Sequence, residues 1–334
     1  MTIHIPVLMD EILEGLQPEG DKVIVDGTLG GAGHSAAILE RLGPKGQLFS
    51  FDRDLDAVEK AAAKIDDDRF TAIHGNYADF PEHLKAFGIE QVDGVLLDLG
   101  YSSDQLADAD RGFSFQNEGA LDLRFNRIAG EPASRLINRL SEKHLADLIY
   151  QFGEERLSRR IARKIVATRS ADPIMTSQQL AKLVRSCVPR SKNHSIDPAT
   201  RTFQAFRIAV NDELKFLSET MKRLPQFVKE EGRAAIISFH SLEDRIVKHA
   251  INGSDLFEAI NRKPITASDA ELDANPRNRS AKLRKGSQHS LRQSAPTVAK
   301  RDENRNGEST EWVDLTQRRY ALIESTTRRR LRCD

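Results

Sequence analysis

The sequence contains few cysteines and no long apolar run. Cys187 and Cys333 are its two cysteines, and its nine histidines form no cluster with ligand spacing. A disulfide-stapled fold and a zinc site are therefore not expected, and we predict no metal. No stretch reaches the roughly 20 apolar residues of a membrane span, and the N-terminus lacks the basic start and apolar core of a secretory signal. These absences predict a cytoplasmic protein that does not contact a membrane.

The chain has no net charge, but its charges are unevenly distributed. Fifty Lys and Arg balance 50 Asp and Glu over 334 residues. Residues 1–130 carry 11 basic and 24 acidic groups, residues 131–274 carry 24 and 19, and residues 275–334 carry 15 and 7. The acidic N-terminal third favours a cationic or small polar ligand, whereas the two basic segments favour phosphates.

Apolar strand-like segments alternate with helical patterns in the first hundred residues. The strands are predicted at 22–26, 47–52, 69–75 and 92–99, with helices at 33–43 and 54–65. This alternation is typical of parallel βαβ units. It fails after Gly100 and returns at 233–240, with possible further strands at 256–260 and 280–284.

We therefore predict an α/β fold with a mostly parallel, Rossmann-like sheet. Its core is expected to combine residues 1–110 and 211–285, and a helical domain inserted over 111–210 is expected to bind the substrate. Residues 286–334, rich in Ser, Gln, Asn, Arg and Glu, are predicted to form a disordered basic tail.

A glycine-rich loop, DGTLGGAGHS at 26–35, follows the first strand and opens a helix. Gly30 and Gly33 allow a ligand to approach the backbone, and the helix N-terminus faces that ligand. Asp52 ends the second strand, where a carboxylate accepts hydrogen bonds from both hydroxyls of an adenosine ribose. NAD and S-adenosylmethionine share this ribose, so the loop alone does not decide between these two cofactors.

Two acidic residues favour S-adenosylmethionine. Asp26 ends the first strand and would repel a pyrophosphate, whereas it would attract a sulfonium and an ammonium group. Asp98 ends the fourth strand at the same sheet edge. A nicotinamide-dependent oxidoreductase and an RNA-binding protein without catalysis are the alternatives, and Asp26 could also be a simple helix cap.

Several motifs resemble the bacterial ribosomal RNA small subunit methyltransferase H family. They are HIPVL (4–8), DGTLGGAGHS (26–35), LLDLGYSSDQL (96–106), RGFSF (111–115), GEERLSRRIARKIV (153–166), RTFQAFRIAVNDEL (201–214), FHSLEDRIVK (239–248) and NPRNRSAKLR (275–284). The resemblance implies a class I S-adenosylmethionine-dependent methyltransferase with a helical insertion. It also implies N4-methylation of a cytidine in the decoding region of 16S rRNA, the substrate being the small ribosomal subunit or its RNA.

The resemblance also implies the contacts to the cofactor. Ala32, Gly33 and His34 match the family's Gly-Gly-His, Asp52 matches the acid that binds the ribose, and Tyr77 matches an aromatic residue beside the adenine. Asp98 and Gln105 match further cofactor contacts. Ala32 replaces a glycine, which a negative φ at this position would tolerate.

The chemistry requires a proton acceptor, and the substrate requires basic groups. The N4 lone pair of cytosine is delocalised into the ring, so an acceptor near N4 favours its attack, and we predict Asp98 as this catalytic group.

Arg156, Arg160 and Arg163 form a basic stripe on a helix predicted over 154–169, which is either a phosphate contact or a solvated face. Phe113 is predicted either to stack on a flipped base or to pack locally. The other RNA-binding candidates are Arg111, Arg201, Arg207, His240 and Arg245.

Overall fold

The structure is a computed structural model that describes residues 6–116, 118–188 and 197–289. Seven strands of this part of the chain form one sheet, in the order β3-β2-β1-β4-β5-β7-β6. The strands are β1 (Val23–Asp26), β2 (Gln47–Asp52), β3 (Phe70–His74), β4 (Val92–Asp98), β5 (Val228–Ser238), β6 (Phe257–Ala259) and β7 (Lys282–Gln288).

Helices cover the sheet and form the segment between β4 and β5. They are α1 (Met9–Leu16), α2 (Gly33–Arg41), α3 (Leu55–Lys64), α4 (Phe80–Leu84), α5 (Ser103–Ala107), α6 (Ala133–Arg139), α7 (Glu142–Gly153), α8 (Ser158–Arg169), α9 (Ser177–Cys187), α10 (Thr200–Asn211), α11 (Glu213–Phe227), α12 (Ser241–Asn252) and α13 (Asp269–Ala274). Within the described ranges, no helix combines the length and apolarity needed to cross a bilayer.

The predicted α/β fold is confirmed. β1 pairs in parallel with both β2 and β4, and β4 pairs in parallel with β5 across the long helical segment. β7 runs antiparallel to both β5 and β6. This order, with β7 reversed beside β5, is the topology of class I S-adenosylmethionine-dependent methyltransferases. It places the C-terminal ends of β1, β2, β4 and β5 along one edge.

The alternation of side chains along the strands divides the core into two layers. Ile24 packs with α1 and α2, whereas its neighbour Val25 packs on the opposite face with α4, α11 and α12. Leu96 and Leu97 on β4 divide between the two layers in the same way. This period of two, with both faces apolar, is expected for a sheet covered by helices on both sides.

The segment between β4 and β5 forms a hydrophobic cluster of its own, which includes the fully buried Ile149, Ile161, Val184 and Phe206. The division of the chain into domains stays a prediction. The helix predicted over 154–169 begins only at Ser158, because Glu154, which follows the end of α7 at Gly153, has a left-handed conformation with φ 50°. At the other end of the sheet, β7 continues past Gly286 to Gln288, and residues 290–334 of the predicted tail lie outside the described part of the chain.

Candidate functional site

A cavity of about 390 Å³ opens at the C-terminal edge of the parallel strands. Its walls come from the glycine loop, the ends of β2 and β4, and the helices α10 and α11. The predicted cofactor residues that line it are Gly30, Gly33, His34, Asp52, Tyr77, Asp98 and Gln105, and the RNA-binding candidates that line it are Phe113, Arg207 and His240. The structure thus brings together residues from across the sequence.

Backbone amides hold the Asp52 carboxylate at the mouth of the glycine loop. Gly30 N donates to Oδ2 at 2.9 Å, and Asp54 N donates to Oδ1 at 2.8 Å. Gly30 has φ +49°, a left-handed conformation that glycine adopts without a steric penalty. Burial raises the pKa of Asp52 to about 6, although both hydrogen bonds lower it. Each carboxylate oxygen keeps a second lone pair, so both oxygens can still accept a hydroxyl hydrogen.

Asp26, predicted to face the cofactor, lies beneath the loop instead. It is 1% exposed and is not among the described residues that line the cavity. Its carboxylate accepts hydrogen bonds from Ser35 Oγ at 2.6 Å and from Thr28 N at 3.0 Å. Burial raises its pKa, whereas these hydrogen bonds and His34 lower it. Asp26 therefore shapes the loop, and a direct contact with the ligand was the wrong expectation.

Ala32 also lies outside the cavity lining, and its φ of +62° differs from the negative value expected for a residue with a Cβ. The left-handed region costs such a residue roughly 1–2 kcal/mol. The methyl group is 2% exposed and packs with Leu29, Val58 and Ala61. We infer that this burial offsets the strain.

Asp98 lines the cavity, and one of its two carboxylate oxygens is buried without a partner among the described residues. Oδ1 is buried and accepts no hydrogen bond from the described residues, and Oδ2 lies 3.6 Å from His34 Nδ1. Burial raises the pKa of Asp98 to about 6, His34 lowers it, and the charges of Asp26 and Glu243 raise it further. An acceptor with a raised pKa, in a cavity, is suited to taking up a proton.

Tyr77 and Gln105 line the cavity in different ways. Tyr77 begins a single 3-10 turn after β3 and is half-buried, and burial raises its pKa above the ordinary value. Gln105 is 6% exposed, and its side-chain amide is already engaged. Its Nε2 donates to Asp54 Oδ2 at 3.0 Å and its Oε1 accepts from Ser102 N at 3.0 Å. Gln105 therefore holds the loop after β4 against the end of β2.

Arg111, predicted to bind RNA, is buried and already has partners, so the structure does not offer its guanidinium to a phosphate. It is 3% exposed and is absent from the described cavity lining. Nη1 lies 2.8 Å from Asp54 Oδ2, and Nη2 donates to the Phe125 carbonyl at 2.9 Å. The guanidinium compensates the buried Asp54 charge, which would otherwise be costly.

Of the two roles predicted for Phe113, base stacking and local packing, the structure shows local packing. Its ring is 6% exposed and stacks with Tyr101 at 5.3 Å and with Phe125 at 5.6 Å between centroids. It therefore offers no open face to a base. Tyr101, at one end of this row of rings, is 42% exposed and lines the cavity. The Arg207 guanidinium lies over the Tyr101 ring at 5.2 Å from its centroid, so this ring has a second partner besides Phe113.

A buried ion-pair cluster closes the far side of the cavity, and sequence reasoning missed two of its members, Glu213 and Glu243. Arg207 Nε and Nη2 each donate to Glu213 at 2.9 Å, and Nη2 lies 3.9 Å from Glu243 Oε1. Burial alone would lower the pKa of Arg207, but the two carboxylates raise it overall. Because its charge is already paired, Arg207 is a poor candidate for binding a phosphate.

His240 joins this cluster as the N-cap of α12. Its Nδ1 accepts a long hydrogen bond of 3.4 Å from Glu243 N, and its Nε2 lies 3.1 Å from Glu243 Oε1 without hydrogen-bond geometry. Glu213, His240 and Glu243 place potential metal ligands within 4.8 Å of one another. Arg207 already supplies the positive charge that a metal ion would bring, so the geometry favours an ion-pair cluster.

The remaining arginine candidates lie outside the cavity lining of the described residues. Arg156 precedes α8, and Arg160 and Arg163 lie on it, all three exposed. Arg201 Nη1 donates to the Glu154 carbonyl at 3.2 Å, and Arg245 Nη2 lies 3.4 Å from Glu154 Oε1. Their roles in RNA binding stay predictions.

Comparisons with known proteins identify relatives of this chain. The model of the MraW methylase family matches residues 1–288. The ribosomal RNA small subunit methyltransferase H of Citrifermentans bemidjiense is 45% identical over 302 residues, which cover 84% of this chain and 97% of that protein. The protein of that name from Deinococcus radiodurans is 48% identical over 286 residues, which cover 85% of this chain and 89% of that protein. A solved rRNA methylase from Streptococcus thermophilus covers 86% of this chain and 99% of its own, at 10% identity and a TM-score of 0.41.

Proposed function

Because the chain belongs to the MraW methylase family, we propose that it methylates N4 of a cytidine in the decoding region of 16S rRNA, within the small ribosomal subunit. The chain is a methyltransferase, and its methyl donor is S-adenosylmethionine. The name shared by its relatives supports small-subunit rRNA as the substrate, and we propose the cytoplasm as the compartment of the reaction. The observation that carries the N4 assignment is Asp98, a partly exposed carboxylate that lines the cavity and whose pKa is raised to about 6.

The residues around the cavity fit the donor. Asp52 has free lone pairs for two ribose hydroxyls, and Tyr77 has an aromatic ring for the adenine. The charges of Asp52 and Asp98 suit a cationic ligand. When bound, the donor supplies a methyl carbon made electrophilic by a positively charged sulfur.

Orientation and proton removal are the contributions of the chain itself. Holding the reacting groups in line can lower a barrier by roughly 7–11 kcal/mol. Asp98 would accept a hydrogen bond and then a proton from the N4 amine. This would stabilise the positive charge that develops on the nitrogen as it attacks the methyl group.

Replacing Asp52 with Ala should weaken S-adenosylmethionine binding at least about tenfold, since a hydrogen bond to a charged group is worth about 1.5–3 kcal/mol. Isothermal titration would measure the affinity, and circular dichroism would establish that the variant is folded. Asp68→Ala removes an exposed carboxylate after α3 and serves as the control. Equal affinities for Asp52→Ala and the wild type would remove Asp52 from the binding site.

Changing Arg156, Arg160 and Arg163 together to Gln should raise the KM for small subunits. The dependence of log KM on log salt should flatten by about one unit for each phosphate that the variant no longer binds. The control changes the exposed Lys60, Lys64 and Lys85 to Gln. A salt dependence equal to that of the control would mean that the stripe is only solvated.

The substrate assignment is tested with S-adenosylmethionine carrying a tritiated methyl group. Purified enzyme is incubated with small subunits, large subunits or free 16S rRNA, all from cells that lack this activity. We expect label in the RNA of small subunits and little in the other two samples. Labelling of large subunits alone would overturn the assignment, and stronger labelling of free 16S rRNA would overturn the assembled subunit as substrate.

A further inference from the structure

We propose that Arg53 is a positioning residue, which joins the ribose-binding end of β2 to a wall of the cavity, so that cofactor binding strengthens binding of the small subunit. This inference rests on the proposed function. The wall loop, residues 121–126, belongs to the segment between β4 and β5, and its Leu123 and Phe125 line the cavity. Arg53 follows Asp52 directly in the chain and lines the same cavity.

Arg53 caps the end of α10. Its Nη1 donates to the Asn211 carbonyl at 2.6 Å. α10 ends at Asn211 because Asp212 has a left-handed φ of 52°, and the carbonyls in the last turn of a helix lack amide partners. The guanidinium also lies over the Phe216 ring at 5.3 Å and over the Phe125 ring at 6.0 Å from their centroids. A positive charge is stabilised both at a helix C-terminus and above aromatic rings, so these contacts hold Arg53 in place.

The side chain of Asn211 carries this contact to the wall loop. Its Oδ1 accepts from Phe125 N at 2.8 Å, and its Nδ2 donates to the Leu123 carbonyl at 2.7 Å. Asn211 is 1% exposed, so breaking these bonds would leave buried polar groups without partners. Leu123 has φ 64°, a costly conformation for a residue with a Cβ, which persists only where surrounding contacts hold it. The wall loop therefore depends on Asn211 for its shape.

Asp54 holds the same loop from its other side. Its Oδ2 lies 2.8 Å from Arg111 Nη1, and Arg111 Nη2 donates to the Phe125 carbonyl at 2.9 Å. The backbone amide of Asp54 also donates to Asp52 Oδ1 at 2.8 Å. Three consecutive residues, Asp52, Arg53 and Asp54, thus connect the ribose-binding acid to both sides of the wall loop.

This connection couples two binding events. A ribose bound to Asp52 fixes the end of β2, and with it the contacts that Arg53 and Asp54 make to the wall loop. A substrate that packs on the wall loop then loses less entropy in ordering it. Linkage requires the reverse effect as well, so the small subunit should strengthen cofactor binding by the same factor.

The coupling is measured from the affinity of fluorescently labelled enzyme for small subunits, with and without saturating S-adenosylhomocysteine. This compound keeps the ribose but has no methyl group to transfer. It should strengthen binding by the wild type about fivefold or more, the lower end of typical coupling factors. Arg53→Met keeps the length of the side chain without its donors, and Arg53→Gln keeps a donor that is too short to reach Asn211. Both variants should reduce the factor to below about twofold.

Lys215→Met is the matched control. Lys215 also places its charge over the Phe216 ring, at 6.0 Å from the centroid, but it lies on α11 and not at the end of β2. Its removal should leave the coupling factor at the wild-type value. Circular dichroism would establish that all three variants are folded.

Hydrogen exchange gives a readout that needs no subunit. S-adenosylmethionine should slow exchange in peptides that cover 121–126 in the wild type and in Lys215→Met, because Phe125 N exchanges only when its bond to Asn211 opens. This slowing should be lost in both Arg53 variants. If Arg53 were merely structural, its variants would exchange faster but the cofactor would still slow them, and that result would overturn the inference.

The outcomes separate the two proposals. A wild-type protein that does not label small subunits would overturn the proposed function itself. If the wild type labels them, a wild-type coupling factor of about one overturns the inference alone. Arg53 variants that keep the wild-type factor would also overturn it, since they would show that the coupling comes from direct contact between the cofactor and the nucleotide. The absence of cofactor-dependent slowing at 121–126 in the wild type would overturn it even if neither Arg53 variant folds.

Discussion

Asp98→Asn should slow methyl transfer about 10²- to 10³-fold at saturating cofactor, which is the usual cost of losing one preorganised electrostatic partner. Asparagine keeps the size of the side chain and one acceptor oxygen, but it removes the charge and the ability to take up a proton. The Asp98 side chain lines the cavity and is 19% exposed, so its charge lies beside the space for the substrate. Rapid-quench measurements on small subunits would give the rate.

The affinity for S-adenosylmethionine separates the two possible roles of Asp98. If Asp98 serves the amine, affinity should fall much less than the rate. Asp93→Asn is the matched control, because Asp93 lies near the opposite end of β4 and pairs with Lys229. Equal falls in rate and affinity would make Asp98 a binding residue, and a wild-type rate would remove it from the mechanism.

Arg207→Met should lower the free energy of unfolding by about 3–5 kcal/mol, because it leaves the Glu213 carboxylate buried without its partner. Both side chains are 9% exposed, so solvent compensates little of this charge. Urea unfolding would measure the change. Arg201→Met, an exposed arginine on the same helix, should cost no more than about 1 kcal/mol.

The double variant Arg207→Met with Glu213→Leu tests the origin of this cost. If the unpaired carboxylate causes it, removing both charges should recover much of the lost stability. Additive losses from the two single changes would contradict the ion pair as the cause. A single Arg207→Met variant as stable as the wild type would contradict it as well.

The sheet could be predicted because its signals are local. Apolar runs bounded by turns placed β1 to β4 to within one residue of their observed ends, and the runs at 256–260 and 280–284 overlap β6 and β7. The start of β5 at Val228 was missed, because VKEEG carries charged residues that do not resemble a buried strand. The start of α8 was missed because Glu154 adopts a left-handed conformation that its residue type does not indicate.

The residues that line the cavity were predicted in part. The charged residues account for most of the mismatch between the predicted and the observed site. Loop and strand-end residues such as Asp52 and Asp98 were found from their positions after strands. Arg111 was misassigned because its partner Asp54 lies far away in the sequence, so its burial depends on tertiary packing. Arg207 and Glu213 had a local signal, since Asp212 breaks the helix between them with φ 52°. Recognising Asn-Asp at 211–212 as a helix break would have predicted the close approach of the two helix ends.

The identity of the methylated nucleoside tests the central claim most directly. Small subunits methylated by the enzyme with deuterated-methyl S-adenosylmethionine would be digested to nucleosides and separated against standards of N4-methylcytidine, 5-methylcytidine and 2′-O-methylcytidine. An acceptor carboxylate beside an exocyclic amine predicts label only in N4-methylcytidine. Label in either of the other two isomers, or in a base other than cytosine, would contradict the account.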